Sequence, residues 1–251
     1  MNLRSLRVSP RQRTGRRMEF LRGAATTLPL LLIMTLTLVL PLGLIQGVWI
    51  WPAAWTFLGV MGVWTSCWVG WLAVARPTSF AVRRQGLVAK SEKKQPLIDA
   101  LGVCFYAAWM LGWFIAIPLD VFRFRLLPPP PMIVQGLGAL MTLGGIAIAY
   151  SAVAQNRFAA PTIHDQSGEG QVVIQTGLYA IVRHPFYAGG AIVYPGTALW
   201  LGSYAAAIAS ISFLLLTLAR IVIEERYLRE NLSGYDEYAQ RVRSRLIPGL
   251  L

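Results

Sequence analysis

Residues 24–46 read AATTLPLLLIMTLTLVLPLGLIQ, with no ionisable side chain in the run. A helix of that length covers a hydrocarbon core of ~30 Å. The same pattern recurs along the chain. The spans are expected near 24–46, 52–75, 98–119, 132–154, 185–201 and 205–225. The connector 47–51 is short and uncharged, so the first two form a tight hairpin. Trp49, Trp51 and Trp55 around it read as an interfacial aromatic belt. Trp64, Trp68 and Trp71 recur at helical spacing and read as packing or lipid contacts. The fold class is therefore all-α, a polytopic membrane protein with about six transmembrane helices.

Composition agrees. The chain of 251 residues is 55% hydrophobic and 14% charged, too apolar for an ordinary soluble domain. Its net charge of +12 is carried beside apolar runs, which fits an anionic membrane surface and not nucleic acid. With six spans, every Lys and Arg except Arg123 and Arg125 falls on one side of the bilayer. By the positive-inside rule that side is the cytosol, and both termini lie there. Residues 1–23, rich in Arg, read as a disordered cytosolic tail that orients the first span. The organisation expected is this tail, N-terminal transmembrane helices over 24–131, and a membrane domain over 132–251. Gly136, Gly138, Gly144 and Gly145 stand at spacings that permit close helix contact. Cys67 and Cys104 lie inside apolar runs and read as packing residues, and two histidines make a metal site improbable.

Two polar segments interrupt this pattern: Thr176–Tyr187, TGLYAIVRHPFY, and Arg220–Leu228, RIVIEERYL. Ionisable groups at a bilayer edge are costly to place, which makes them functional candidates. Pro185 suits the first position of a helix, with His184 at its cap. A helix start favours a carboxylate. Arg220 and Glu224 share a helix face and can pair, while Glu225 points about 100° away toward another partner. Taken singly, the first segment reads better as a contact with lipid headgroups and an interfacial aromatic belt, and the second as a juxtamembrane charge cluster.

Their ordered combination says more. Gly177-Leu178-Tyr179, Arg183-His184-Pro185-Phe186-Tyr187, Arg220 with Glu224-Glu225 and Leu228, Gly234 with Tyr235 and Tyr238, and Arg245-Leu246-Ile247-Pro248 follow one another over residues 132–251. This set resembles the isoprenylcysteine carboxyl methyltransferase family of integral membrane enzymes, related to the phospholipid N-methyltransferases. The resemblance implies S-adenosyl-L-methionine as cofactor, bound beneath the membrane surface. On that pattern Gln171, Val172, Val173 and Ile174 form a backbone strip along the cofactor, and Tyr179, His184, Pro185, Phe186 and Tyr187 its further contacts. Arg220 and Glu224 match the acceptor side and would be catalytic. Glu225 completes an acidic pair that serves cofactor binding in the related phospholipid enzymes. Gln171 stands where enzymes acting on prenylated proteins often carry His.

Methyl transfer suits these residues. A carboxylate acceptor is ionised at neutral pH, so Arg220 would position it and Glu224 would orient Arg220. An amine acceptor would need a base, and Glu224 would be that base. The acceptor would be lipid-like or prenylated, entering from the bilayer. The competing readings are an N-methyltransferase for phospholipid amines, an NADPH-dependent membrane reductase, and a non-enzymatic membrane protein. The last would carry an ionisable residue near mid-span, and the first five spans have none.

Overall fold

The computed structural model describes residues 10–80, 97–158 and 171–250. The basic loop residues Arg83, Arg84, Lys90, Lys93 and Lys94, and the polar residues His164, Asp165 and Glu169, lie outside the described residues. Every regular element described is helical: α1 (Pro10–Ala25), α2 (Leu28–Gln46), α3 (Pro52–Ala75), α4 (Leu97–Leu119), α5 (Met132–Gln155), α6 (Pro185–Trp200), α7 (Tyr204–Ala209), α8 (Ile211–Asn231) and α9 (Tyr235–Arg241). A π-helical turn, Asp120–Phe124, extends α4, and a 3₁₀ turn, Gly177–Ala180, precedes α6. Among the described residues, five helical stretches are long and apolar enough to cross a membrane, the first of them running over Thr14–Ile45. The segment expected over 185–201 is α6, whose 16 residues span only about 24 Å at 1.5 Å per residue.

The described part of the tail, residues 10–23, differs from expectation. Residues 10–25 are helical, and α1 packs on α3. The Phe20 ring lies so close to Gly70 that a Cβ there would meet it at 2.8 Å, and a Cβ on Gly23 would meet that of Ala73 at 2.6 Å. Charge alone suggested disorder, but Phe20 and Gly23 share a helix face that finds an apolar partner. Pro29 then separates α1 from α2, because its ring opposes the carbonyl four residues back. The hydroxyls of Thr26 and Thr27 bond back to Gly23 O and Ala24 O, each at 2.7 Å.

The tryptophans divide. Trp49 and Trp55 are half exposed, but Trp51 is buried edge-on against Phe122, with ring centroids 5.3 Å apart. Trp64 and Trp68 reach α5: Trp64 Nε1 donates to Leu143 O at 3.3 Å, and Trp68 stacks on Tyr150. With Trp71, Arg76 and Gln155 they line a cavity of about 540 Å³ between α3 and α5. The core lies around Leu38, Leu42, Phe57, Ile117 and Leu201.

The tightest contact joins α5 to α6. Gly138 faces Gly196, and Gly145 faces Gly189, so that added Cβ atoms would stand 2.5 to 2.9 Å from the opposing carbonyl oxygens. Gly136 and Gly144 face open space instead. The zipper therefore uses one glycine pair spaced seven apart on each helix. At the far end of α4, buried Asp120 accepts from Ser203 Oγ at 2.6 Å and from Leu126 N at 3.0 Å, tying α4 to the turn after α6. That turn reverses the chain, so the start of α6 lies beside the end of α8.

Candidate functional site

The reversal brings the two polar segments together. Pro185 opens α6 and His184 occupies its cap position, as the sequence suggests. The His184 side chain makes no cap bond and turns to the acids on α8. Its Nε2 lies 3.2 Å from Glu225 Oε1, and its Nδ1 lies 3.9 Å from Glu224 Oε1. Both the imidazole and Glu225 are buried.

Glu225 is the hub. Its Oε1 accepts from Arg183 Nε at 2.7 Å as well as facing His184, and its Oε2 accepts from Arg245 Nε at 3.1 Å. A buried carboxylate is tolerated only with such partners. Arg183 is equally committed. Its Nη1 donates to Val242 O at 2.7 Å and to Arg243 O at 2.8 Å. The C-terminal segment closes the cluster. Arg183 N donates to Ser244 O and His184 N to Arg245 O, both at 2.9 Å. Arg183 stands just before α6, in the segment whose alternative reading is a contact with lipid headgroups. Instead it is buried and fastens the chain end to α6 and α8.

Beside this hub lies a second relay. Arg220 Nε donates to Tyr187 Oη at 2.9 Å, and Tyr187 Oη donates to Glu224 Oε2 at 2.8 Å. The Arg220–Glu224 association read from i,i+4 spacing thus includes a tyrosine from the other helix. Glu224 keeps 27% of its side chain exposed, against 4% for Glu225, so the twin acids face different surroundings. Pro185 and Tyr179 are buried, while Phe186 and Tyr187 are half-buried with their rings in contact.

The strip Gln171–Ile174 has no regular structure. Val172 is exposed, whereas Val173 packs on the cluster of Tyr235, Tyr238, Ala239 and Val242 on and after α9. Gly177 turns the chain after the strip with φ of +61°, a left-handed conformation suited to glycine. A Cβ there would also strike Gln155, whose Oε1 accepts from Leu178 N at 2.8 Å. Tyr238 Oη donates to Tyr179 O at 2.8 Å, locking α9 to the 3₁₀ turn. The strip, the RHP turn and the acids therefore lie around one framework. The cavity between α3 and α5 is lined by other residues.

A cofactor needs donors and acceptors that the protein has not already used. Glu224 retains exposed surface, and Tyr235 Oη is buried with no hydrogen-bond partner. Val173 packs on the cluster that holds Tyr235. Tyr235 sits in the Gly234-Tyr235-Asp236-Glu237-Tyr238 run, which by its residues alone assigns it no role.

No curated protein and no solved structure matches the chain. Residues 133–234 match the family model for phospholipid methyltransferases, a family of integral membrane methyltransferases.

Proposed function

We propose that the chain is a membrane S-adenosyl-L-methionine-dependent methyltransferase acting on an amphipathic acceptor, with a carboxylate favoured as in isoprenylcysteine carboxyl methyltransferases. The observation that carries this reading is the union of the two polar segments, His184 to Glu225 at 3.2 Å, within the stretch that matches a methyltransferase family. The proposed orientation sets the cluster and both termini at the cytosolic face, in keeping with the Lys and Arg distribution.

When bound, the cofactor supplies a methyl carbon already activated by a sulfonium. The chain's task is then alignment and desolvation. Gln171, Val172, Val173 and Ile174 would hold it through backbone groups, with Tyr179, His184, Pro185, Phe186 and Tyr187 around it. Glu225 contributes by fixing His184 and Arg183, because its oxygens already accept three side-chain donors. Arg220 is oriented at Nε by Tyr187, and an oriented guanidinium suits a carboxylate, which it can grip through parallel hydrogen bonds. Glu224 holds Tyr187 in place. For an amine acceptor, the partly exposed Glu224 would take up the proton.

Isothermal titration of the purified protein with S-adenosylhomocysteine and with NADPH tests the reading. Heat with S-adenosylhomocysteine is expected. Heat with NADPH alone would replace it with the reductase reading. Lipid extracts incubated with a labelled methyl donor, followed by mass spectrometry, separate ester from N-methyl products.

A further inference from the structure

Tyr235 opens α9 directly after Gly234, whose φ of +82° turns the chain out of α8. Its side chain packs with Tyr238, Ala239 and Val242, and Val173 and Leu228 pack on the same cluster. Only 4% of the residue is exposed. Among the described residues, its hydroxyl is a buried side-chain polar atom without a hydrogen-bond partner.

A buried unpaired hydroxyl costs about 1–3 kcal/mol. A phenylalanine would fill the same space without that cost, so the orphan requires an explanation. Its neighbour sets the contrast. Tyr238 lies one turn on, with ring centroids 5.8 Å apart, and its hydroxyl is used structurally on Tyr179 O. Tyr235 has no such employment.

Nor do the nearby acids use it. Burial first, and then the charge of Glu225, push the Tyr235 phenol above its ordinary value, and Glu224 adds to this while Arg183 opposes it. The hydroxyl is thus within electrostatic reach of both acids and bonded to neither. Glu225 is filled by Arg183, His184 and Arg245, and Glu224 accepts from Tyr187. A phenol is protonated throughout the neutral range, and the upward shift extends that range, so the hydroxyl is a donor there.

We propose that Tyr235 is a ligand-binding residue whose hydroxyl donates a hydrogen bond to the S-adenosyl cofactor held along Val173. This rests on the methyltransferase reading above. It extends the site onto α9, just beyond the last residue of the family match.

The test uses the full-length protein in detergent, as wild type, Tyr235→Phe and Tyr238→Phe. Affinity for S-adenosylhomocysteine is measured by titration calorimetry, and melting temperature is measured without ligand. Tyr235→Phe is expected to melt at or above the wild-type temperature and to bind about tenfold more weakly. Tyr238→Phe is expected to melt lower, since it loses a bond to the backbone. Unchanged affinity in Tyr235→Phe, with wild type binding normally, overturns the inference and leaves the methyltransferase reading standing. A lower melting temperature in Tyr235→Phe marks a structural hydroxyl and overturns it as well. Absence of binding to the wild type removes both.

Discussion

Arg183 Nε lies 2.7 Å from Glu225 Oε1, with both side chains almost wholly buried and 42 residues apart in sequence. Around this one ion pair the RHP turn, the end of α8 and the C-terminal segment converge. Removing one member leaves the other as an uncompensated buried charge. Glu225→Ala is therefore expected to destabilise the protein by roughly 3–5 kcal/mol. Thermal unfolding in detergent measures it. Melting like the wild type would show that the pair does not hold the fold.

Glu224 carries the opposite expectation. It is partly exposed, and it serves the relay rather than the framework. Glu224→Ala is expected to abolish methyl transfer while the protein inserts, purifies and melts within a few degrees of wild type. A variant with normal turnover would remove Glu224 from the site. His184→Ala should also abolish transfer, but its lost contact with Glu225 should lower stability too.

Tyr187→Phe deletes the hydroxyl between Arg220 and Glu224 without changing the ring. A mispositioned Arg220 should cost about 10- to 100-fold in kcat, or roughly 1.4–2.7 kcal/mol of barrier. Cofactor affinity should change less than kcat. Steady-state kinetics with the identified acceptor distinguishes the two. An unchanged kcat would mean the relay is ornamental to the chemistry.

The α5–α6 glycines offer a packing test. Gly189→Ala places a Cβ 2.5 Å from Gly145 O, a contact neither backbone can yield cheaply. It should cost about 1–3 kcal/mol. Gly144→Ala, facing open space, should be neutral or better. Equal melting temperatures for the two variants would refute the zipper.

Alkaline pH should destabilise the fold through α9. Burial lifts the phenols of Tyr235 and Tyr238 above their ordinary value. Above about pH 10 the unfolded chain loses those protons first, so the folded state binds more protons and stability falls as pH rises. Tyr235→Phe should flatten that fall. A pH-stability curve identical to wild type above pH 10 would contradict it.

Much was legible in the residues themselves. Long uncharged runs dictate helices in a bilayer, because backbone polar groups there must bond internally. Pro185 dictated the start of α6, since it lacks the N–H a helix start leaves unused. The RHP turn and the twin acids, singled out together in the sequence, meet in the fold. Sequence order left other matters open. Gly136, Gly138, Gly144 and Gly145 looked alike, and only the rotation of α5 against α6 selected the pair 138 and 145. Trp51 looked like a belt residue until Phe122 from another helix buried it.

The chain alone therefore determined that its long uncharged runs are helices, because hydropathy and helix-start preferences act over a few neighbouring residues. The roles within the charged cluster were decided by contacts between distant segments. Glu224 and Glu225 are adjacent letters with the same acid. One became the filled hub and the other a partly exposed partner of Tyr187 because successive helical positions point about 100° apart, and only the packed arrangement of α6, α8 and the C-terminal segment sets what each direction meets.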